Sequence, residues 1–369
     1  MATPTLVIFV DAYPFHEADE LTQRLSANIR AKVTPGIGYS INVKSELFGG
    51  LMPDDVGYFC EWNYTGQREH KHLYRPVVSA LKLIGKINHF SSRVAHRLAR
   101  YIVKDPVYAI PFDMLPYLKN SGPTAYERDF RHNTFLDDGN FHRVLYSEHQ
   151  GKDRNVFAAA KEVLKTERPE RLFIATAELD SIMHAYGMDS LEYREQLKLI
   201  DSEIGEIVDQ FQELHGQQAT YFVFSDHGMA PVVESVDFPI ESIAGPSSPS
   251  TYGYFVDATF FRIWTKDKKI LQTLTDALNQ LGKGRILDED ERAFYGISDM
   301  RHGNIVYMLD EGKMFAPSFF GPTTCKAMHG YQPDLDSQQG ILLSNSQANS
   351  IEQVQARGLY QLIKTHLNG

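Results

Sequence analysis

Three stretches of this chain are apolar almost without interruption and rich in β-forming residues. They are Thr5-Leu6-Val7-Ile8-Phe9-Val10, Arg171-Leu172-Phe173-Ile174-Ala175-Thr176 and Thr220-Tyr221-Phe222-Val223-Phe224-Ser225. A strand wetted on one face alternates apolar and polar residues, so a continuous run fits a strand covered on both faces, as in a parallel sheet. Helical patterns at about 154–166 and 190–214 precede the second and third runs, and strand–helix–strand with this spacing is a βαβ unit. An acid follows each run: Asp11 and Asp226 directly, Asp180 four residues on. The carboxyl ends of such strands are where α/β sheets place ligands. Asp11 taken alone also reads as an N-cap or Asx-turn residue.

At 369 residues the chain has room for one large domain with insertions or for two domains. Its formal net charge of −10 argues against a nucleic-acid partner. The two cysteines, Cys60 and Cys325, cannot build a disulfide framework or a Cys-rich zinc site. No apolar stretch reaches membrane-spanning length. The run Leu6 to Val10 is too short for a signal peptide and has no basic residue before it. The expectation is a soluble protein of a reducing cytoplasm.

Residues 16–31 read as a helix leading to a turn at Pro35-Gly36 and Gly38. Ser40 follows, ahead of a short helical run that the pair Gly49-Gly50 would stop. Its hydroxyl then lies at a helix N-terminus, which favours an anion, and it serves either as a cap or as a nucleophile. Asn63, in the aromatic stretch Tyr58–Tyr64, is a turn residue or a donor to a substrate oxygen. The pattern changes over 66–150, read as a helical cap insertion. A basic amphipathic helix over Val77–Val103 and a Pro-punctuated apolar run over Val107–Tyr117 lie within it. Residues 77–117 are a solvated face over a packed one or a peripheral membrane contact. Residues 251–320 read as a small α+β insertion, and Gly340–Ser344 as a last strand before a helix at about 351–366.

His184 lies four residues after Asp180, His227 adjoins Asp226, and His329 sits in a late Gly-containing loop. Carboxylate and imidazole together are the ligand set for zinc or manganese. The ordered motifs are Asp11; Ser40 with Gly50-Leu51-Met52-Pro53 ten residues on; Asp180-x-x-x-His184-x-x-Gly187; Asp226-His227-Gly228-Met229; and His329-Gly330-Tyr331-x-Pro333. This set resembles the alkaline phosphatase superfamily, and within it the type I phosphodiesterases and nucleotide pyrophosphatases. The resemblance spans nearly the whole chain. It implies a mostly parallel central sheet flanked by helices, with residues 1–369 forming one catalytic domain that carries both insertions. It also implies two divalent metals, zinc first, with manganese or magnesium as alternatives. One would be held by Asp180, His184 and His329, the other by Asp11, Asp226 and His227 with the Ser40 oxygen. The family's phosphate-contacting asparagine falls on Asn63 with a shift in spacing. The chain departs from the family pattern in having Ser40 where threonine is common, Gly49-Gly50 for Thr-Gly, and Val56 for a histidine.

The implied activity is hydrolysis of a phosphodiester or pyrophosphate through a phosphoserine at Ser40. The implied substrate is a small phosphorylated molecule: a nucleotide, a lipid head group or a sugar phosphate. A phosphomonoesterase or phospho-group transferase on the same fold is the alternative, and Lys44 beside the nucleophile would favour it if it reached the phosphoryl oxygens. A non-catalytic, metal-stabilised binding protein is the reading from another class. The complete ligand set and the hydroxyl nucleophile speak against it.

Overall fold

Strand β1 (Thr5–Val10) is buried at every position. Leu6, Ile8 and Val10 enter one apolar cluster, and Val7 and Phe9 the other. Side chains alternate across a strand, so an unbroken apolar run serves two cores at once. In the computed structural model β1 pairs in parallel with β6 (Arg171–Thr176) on one side and with β7 (Thr220–Phe224) on the other. The structure describes residues 3–65, 94, 114, 117–248, 250–346 and 351–368.

The chain divides into two units. Unit 1 comprises Met1–Met52, Pro123–Pro231 and Cys325–Gly369; unit 2 comprises Pro53–Gly122 and Val232–Thr324. Unit 1 contains the seven-stranded sheet in the order β17-β2-β16-β7-β1-β6-β5. Its remaining strands are β2 (Ile29–Thr34), β5 (His142–Leu145), β16 (Gly340–Ser344) and β17 (Gln353–Gln355). Only β16 runs antiparallel to its neighbours, so the sheet is mostly parallel, as the apolar runs imply. The helices used below are α1 (Asp19–Leu25), α2 (Ser40–Gly49), α3 (Asp153–Thr166), α4 (Glu178–Tyr186) and α5 (Leu191–His215). Among the described residues no helix is long and apolar enough to cross a membrane.

Two sequence expectations are corrected in unit 1. The helix expected over 16–31 stops at Leu25, where Ser26 turns left-handed at φ 51°. Ile29–Thr34 is then a strand, with Ile29, Ala31 and Val33 turned into the core. The expected 66–150 insertion ends earlier, because Pro123 onward belongs to unit 1. Within that stretch β5 pairs with β6 and is buried at Arg143, Val144 and Leu145. His142 and Arg143 break the apolar run that would have marked it as a strand. The helix expected over 77–103 and most of the run 107–117 lie outside the described residues.

Unit 2 is built on a four-stranded antiparallel sheet, β10-β11-β13-β12. Its strands are β10 (Tyr252–Val256), β11 (Phe260–Thr265), β12 (Gly284–Ile286) and β13 (Ile305–Leu309). The helix Lys268–Leu281 packs Leu274 and Leu278 into the same apolar cluster. The hairpin of β3 (Trp62–Tyr64) and β4 (Leu118–Asn120) also belongs to unit 2.

Candidate metal centre

The register of the unit 1 sheet assembles the site. Val10 aligns with Thr176 and Phe9 with Phe224, so β1, β6 and β7 end at one level. Asp11 and Asp226 are the first or second residues beyond those ends, and the Ala12 amide donates to Asp226 Oδ1 at 3.1 Å. Ala12 itself takes φ 62°, a left-handed turn that a non-glycine residue enters only under strain. Asp180 lies in the first turn of α4 rather than on the strand, and His184 follows one helical turn later. The β15 segment (Ala327–Met328) pairs antiparallel with β8 (Ala230–Pro231), which draws His329 back to the Asp226–Met229 segment. The His227 and His329 rings stack with centroids 3.8 Å apart, and those of His184 and His329 lie 5.3 Å apart.

Ser40 is the first residue of α2, and its Oγ lies 2.8 Å from His227 Nε2. His227 Nδ1 faces Gly228 O at 2.8 Å, and His184 Nδ1 faces Ala327 O at 2.8 Å. A carbonyl only accepts, so both Nδ1 atoms donate, and in the neutral imidazole each Nε2 presents a lone pair to the site. Three carboxylate oxygens there, Asp11 Oδ1, Asp180 Oδ1 and Asp226 Oδ2, are buried without a hydrogen bond. Imidazole nitrogens surround them. Asp180 Oδ1 is 3.3 Å from His184 Nε2 and 3.7 Å from His329 Nε2; His227 Nε2 is 3.7 Å from Asp11 Oδ1 and 3.5 Å from Asp226 Oδ2. Buried carboxylate oxygens in native proteins are normally satisfied, so three orphans facing lone pairs fit bound cations. The ligand atoms of Asp11, Asp226 and His227 lie within 4.8 Å of one another, as do those of Asp180, His227 and His329. His227 thus stands between two groups, and His184 reaches the second through Asp180.

The ionisable groups shift one another strongly: burial opposes the His184 imidazolium, but Asp180 beside it raises the His184 pKa well above its ordinary value. Burial raises the Asp11 carboxyl well above its ordinary value, with Asp226 adding to the rise and Lys44 opposing it. Burial also works against the Asp180 carboxylate, but His184, His329 and His227 hold it well below the usual range. Burial and the neighbouring His227 push His329 well down.

Lys44 was expected only as a possible phosphate contact. It is buried, 2.6 Å from Asp11 Oδ2 and 3.9 Å from Asp226 Oδ2. Its position one turn after Ser40 on α2 was the available signal, since residues i and i+4 share a helix face. Asn63 lies on β3 in unit 2, where its Nδ2 donates to Ser121 Oγ at 2.8 Å.

A family model described as type I phosphodiesterase / nucleotide pyrophosphatase matches residues 86–332. The chain belongs to this family. It is a branch of the alkaline phosphatase superfamily, whose members act on phosphoric esters. The matched span includes Asp180 through His329; Asp11 and Ser40 precede it. Among solved structures, human ectonucleotide pyrophosphatase / phosphodiesterase 5 is similar over 99% of this chain and 95% of its own, with TM-score 0.66 and 13% identity. The murine protein, an inactive form in complex with AMP, has the same coverage, TM-score 0.63 and 16% identity. At such identities these structures establish the shared fold. GPI ethanolamine phosphate transferase 1 of Gibberella zeae is 36% identical over 83 residues, which are 21% of this chain and 8% of that relative's length.

Proposed function

We propose that this member of the family is a metal-dependent phosphodiesterase or pyrophosphatase that passes through a phosphoserine at Ser40. The observation that carries the reading is the meeting of Ser40 Oγ and His227 Nε2 at 2.8 Å beside two orphaned carboxylates, at the N-terminus of a helix. Asp11, Asp226 and His227 with Ser40 would hold one divalent cation, zinc first, and Asp180, His184 and His329 the second. Cations bound there would supply Lewis acidity, lowering the hydroxyl pKa and offsetting charge on phosphoryl oxygens. The residues of the chain do the rest. Ser40 Oγ attacks phosphorus while the bond to the leaving group breaks. The positive end of α2 lies where the phosphoryl oxygens gather charge. The carbonyls of Gly228 and Ala327 keep His227 and His184 in the Nε2-acceptor tautomer. Attack by water then splits the phosphoserine and restores the Ser40 hydroxyl.

Lys44 bears on diester against monoester. Its ammonium is engaged by Asp11, so it is not the extra cation that a monoester dianion would need. A nucleotide is the first substrate to test, because the murine relative was solved with AMP. The short match to a phosphate transferase favours a second reading, in which an alcohol replaces water in the last step.

The deciding assay compares bis-p-nitrophenyl phosphate with p-nitrophenyl phosphate, with zinc and with chelator, with and without an added alcohol acceptor. Zinc-dependent turnover, faster on the diester, is expected. Faster monoester turnover would overturn the diesterase assignment. Transfer to the alcohol in preference to water would establish the second reading.

A further inference from the structure

Lys44 is a full cation placed where a metal centre already concentrates charge. Its side chain is almost wholly buried, as are Asp11 and Asp226 beside it. The Nζ atom also lies 5.3 Å from the Phe9 ring centroid and 5.7 Å from that of Tyr126. Its closest contact, 2.6 Å, is to Asp11 Oδ2, and the other oxygen of that carboxylate, Oδ1, is the orphan facing His227. The same split occurs at Asp226: Oδ1 accepts from the Ala12 amide, and Oδ2 is the orphan. Each acid is therefore gripped by one oxygen and offers the other.

We propose that Lys44 is a resident counter-cation of the nucleophile-side metal site. It holds Asp11 as a one-oxygen ligand and keeps the Asp11–Asp226 pair assembled before metal arrives. The inference rests on the reading of Asp11 and Asp226 as ligands. Two buried carboxylates this close repel each other, and removing Lys44, their one close lysine or arginine among the described residues, leaves uncompensated charge in a dry site. Lys44 is also on the Ser40 face of α2, so its grip on the end of β1 sets where the Ser40 hydroxyl stands. It is a positioning residue, acting on the reaction through Asp11 and the helix.

A cation that substitutes for missing metal makes a specific forecast. Without Lys44, the folded protein depends on metal far more than the wild type does. Thermal unfolding would be followed for the wild type, Lys44→Met, and Lys44→Met combined with Asp11→Asn, each in chelator and in zinc. In chelator Lys44→Met should melt roughly 10 °C below the wild type. Zinc should raise its midpoint by more than it raises that of the wild type. The double variant, lacking both charges, should regain most of the loss in chelator. An equal or smaller zinc-induced rise in Lys44→Met would overturn the assignment, as would a double variant no better than the single. If Lys44→Met does not fold, a folded double variant supports the proposal, and a second failure to fold assigns Lys44 to packing alone. A wild type whose midpoint zinc does not move would instead refute the metal-site reading itself.

Discussion

Ser40 and Glu46 stand on the same ten-residue helix and carry opposite consequences for a single-atom change. Ser40→Ala removes only the Oγ that lies against His227 and leaves every carboxylate and imidazole in place. Turnover should fall by at least about a thousandfold, while metal content and the melting midpoint stay near wild type. Retention of a substantial rate would mean that water attacks phosphorus directly. Glu46 is buried beside Asn42, and burial lifts its pKa to about 7 despite the Asn42 hydrogen bond. The folded state then holds the proton at a pH where the unfolded chain, with the ordinary value of 4.5, has released it. The sign follows: stability is intact below about pH 4.5 and is lost as pH rises to 7, by roughly 3 kcal/mol in all. Glu46→Gln should therefore stabilise the protein at pH 8 and change little at pH 4, as read from denaturant midpoints; a variant weaker at pH 8 would contradict this. The candidate ligand residues are visible in the sequence because acids and histidines stand out against apolar runs. Lys44 and Glu46 were not, since nothing in the local sequence distinguishes a buried charge from a solvated one. Asn63 reads from the sequence either as a turn residue or as a donor to a substrate oxygen, and its Nδ2 serves its own hairpin through Ser121.

Helix α2 buries Asn42, Lys44, Ser45 and Glu46 along with Val43, Leu47 and Phe48. Asn42 Nδ2 ties this enclosed helix to the turn before it, donating to both Ile37 O and Glu46 Oε1, while Asn42 Oδ1 is buried without a hydrogen bond. The strand to which Gly228 leads is as tightly held. A Cβ at Gly228 would stand 2.2 Å from Ser337 O and 2.9 Å from Gln339 O, both backbone atoms. Gly228→Ala should lower stability by about 1–3 kcal/mol and displace His227, whose Nδ1 bonds to Gly228 O. Loss of activity with zinc affinity lowered would be the result, and a variant with unchanged metal affinity would contradict it. At this scale the central strands β1, β6, β7 and β16 were legible, because burial on both faces leaves an unbroken apolar signature. Strand β2 was not, since Arg30 and Lys32 alternate with its core residues and follow a helical run directly. Strand β5 was hidden likewise by its own polar start.

For the molecule as a whole, the proposed metal centre draws on described residues from Asp11 to His329 that all belong to unit 1. Protein purified without chelator should contain near two zinc or manganese equivalents per chain, by elemental analysis. Chelation should remove activity and lower the melting midpoint by several degrees or more, in line with binding confined to the folded state. Absence of metal together with no response to added metal would refute the centre. The sheet order has a further effect, on timing. Among the described strands, β2 pairs only with β16 and β17, and β16 is also what joins it to β7. During synthesis β2, the strand that precedes Ser40, meets no described partner until residues some three hundred positions later have emerged. A ribosome-bound chain lacking β16 holds Asp11, Asp180 and Asp226 but lacks the strand that joins β2 to β7. Activity on phosphate esters should therefore appear only in chains long enough to include β16, which assays of ribosome-arrested chains of increasing length would show.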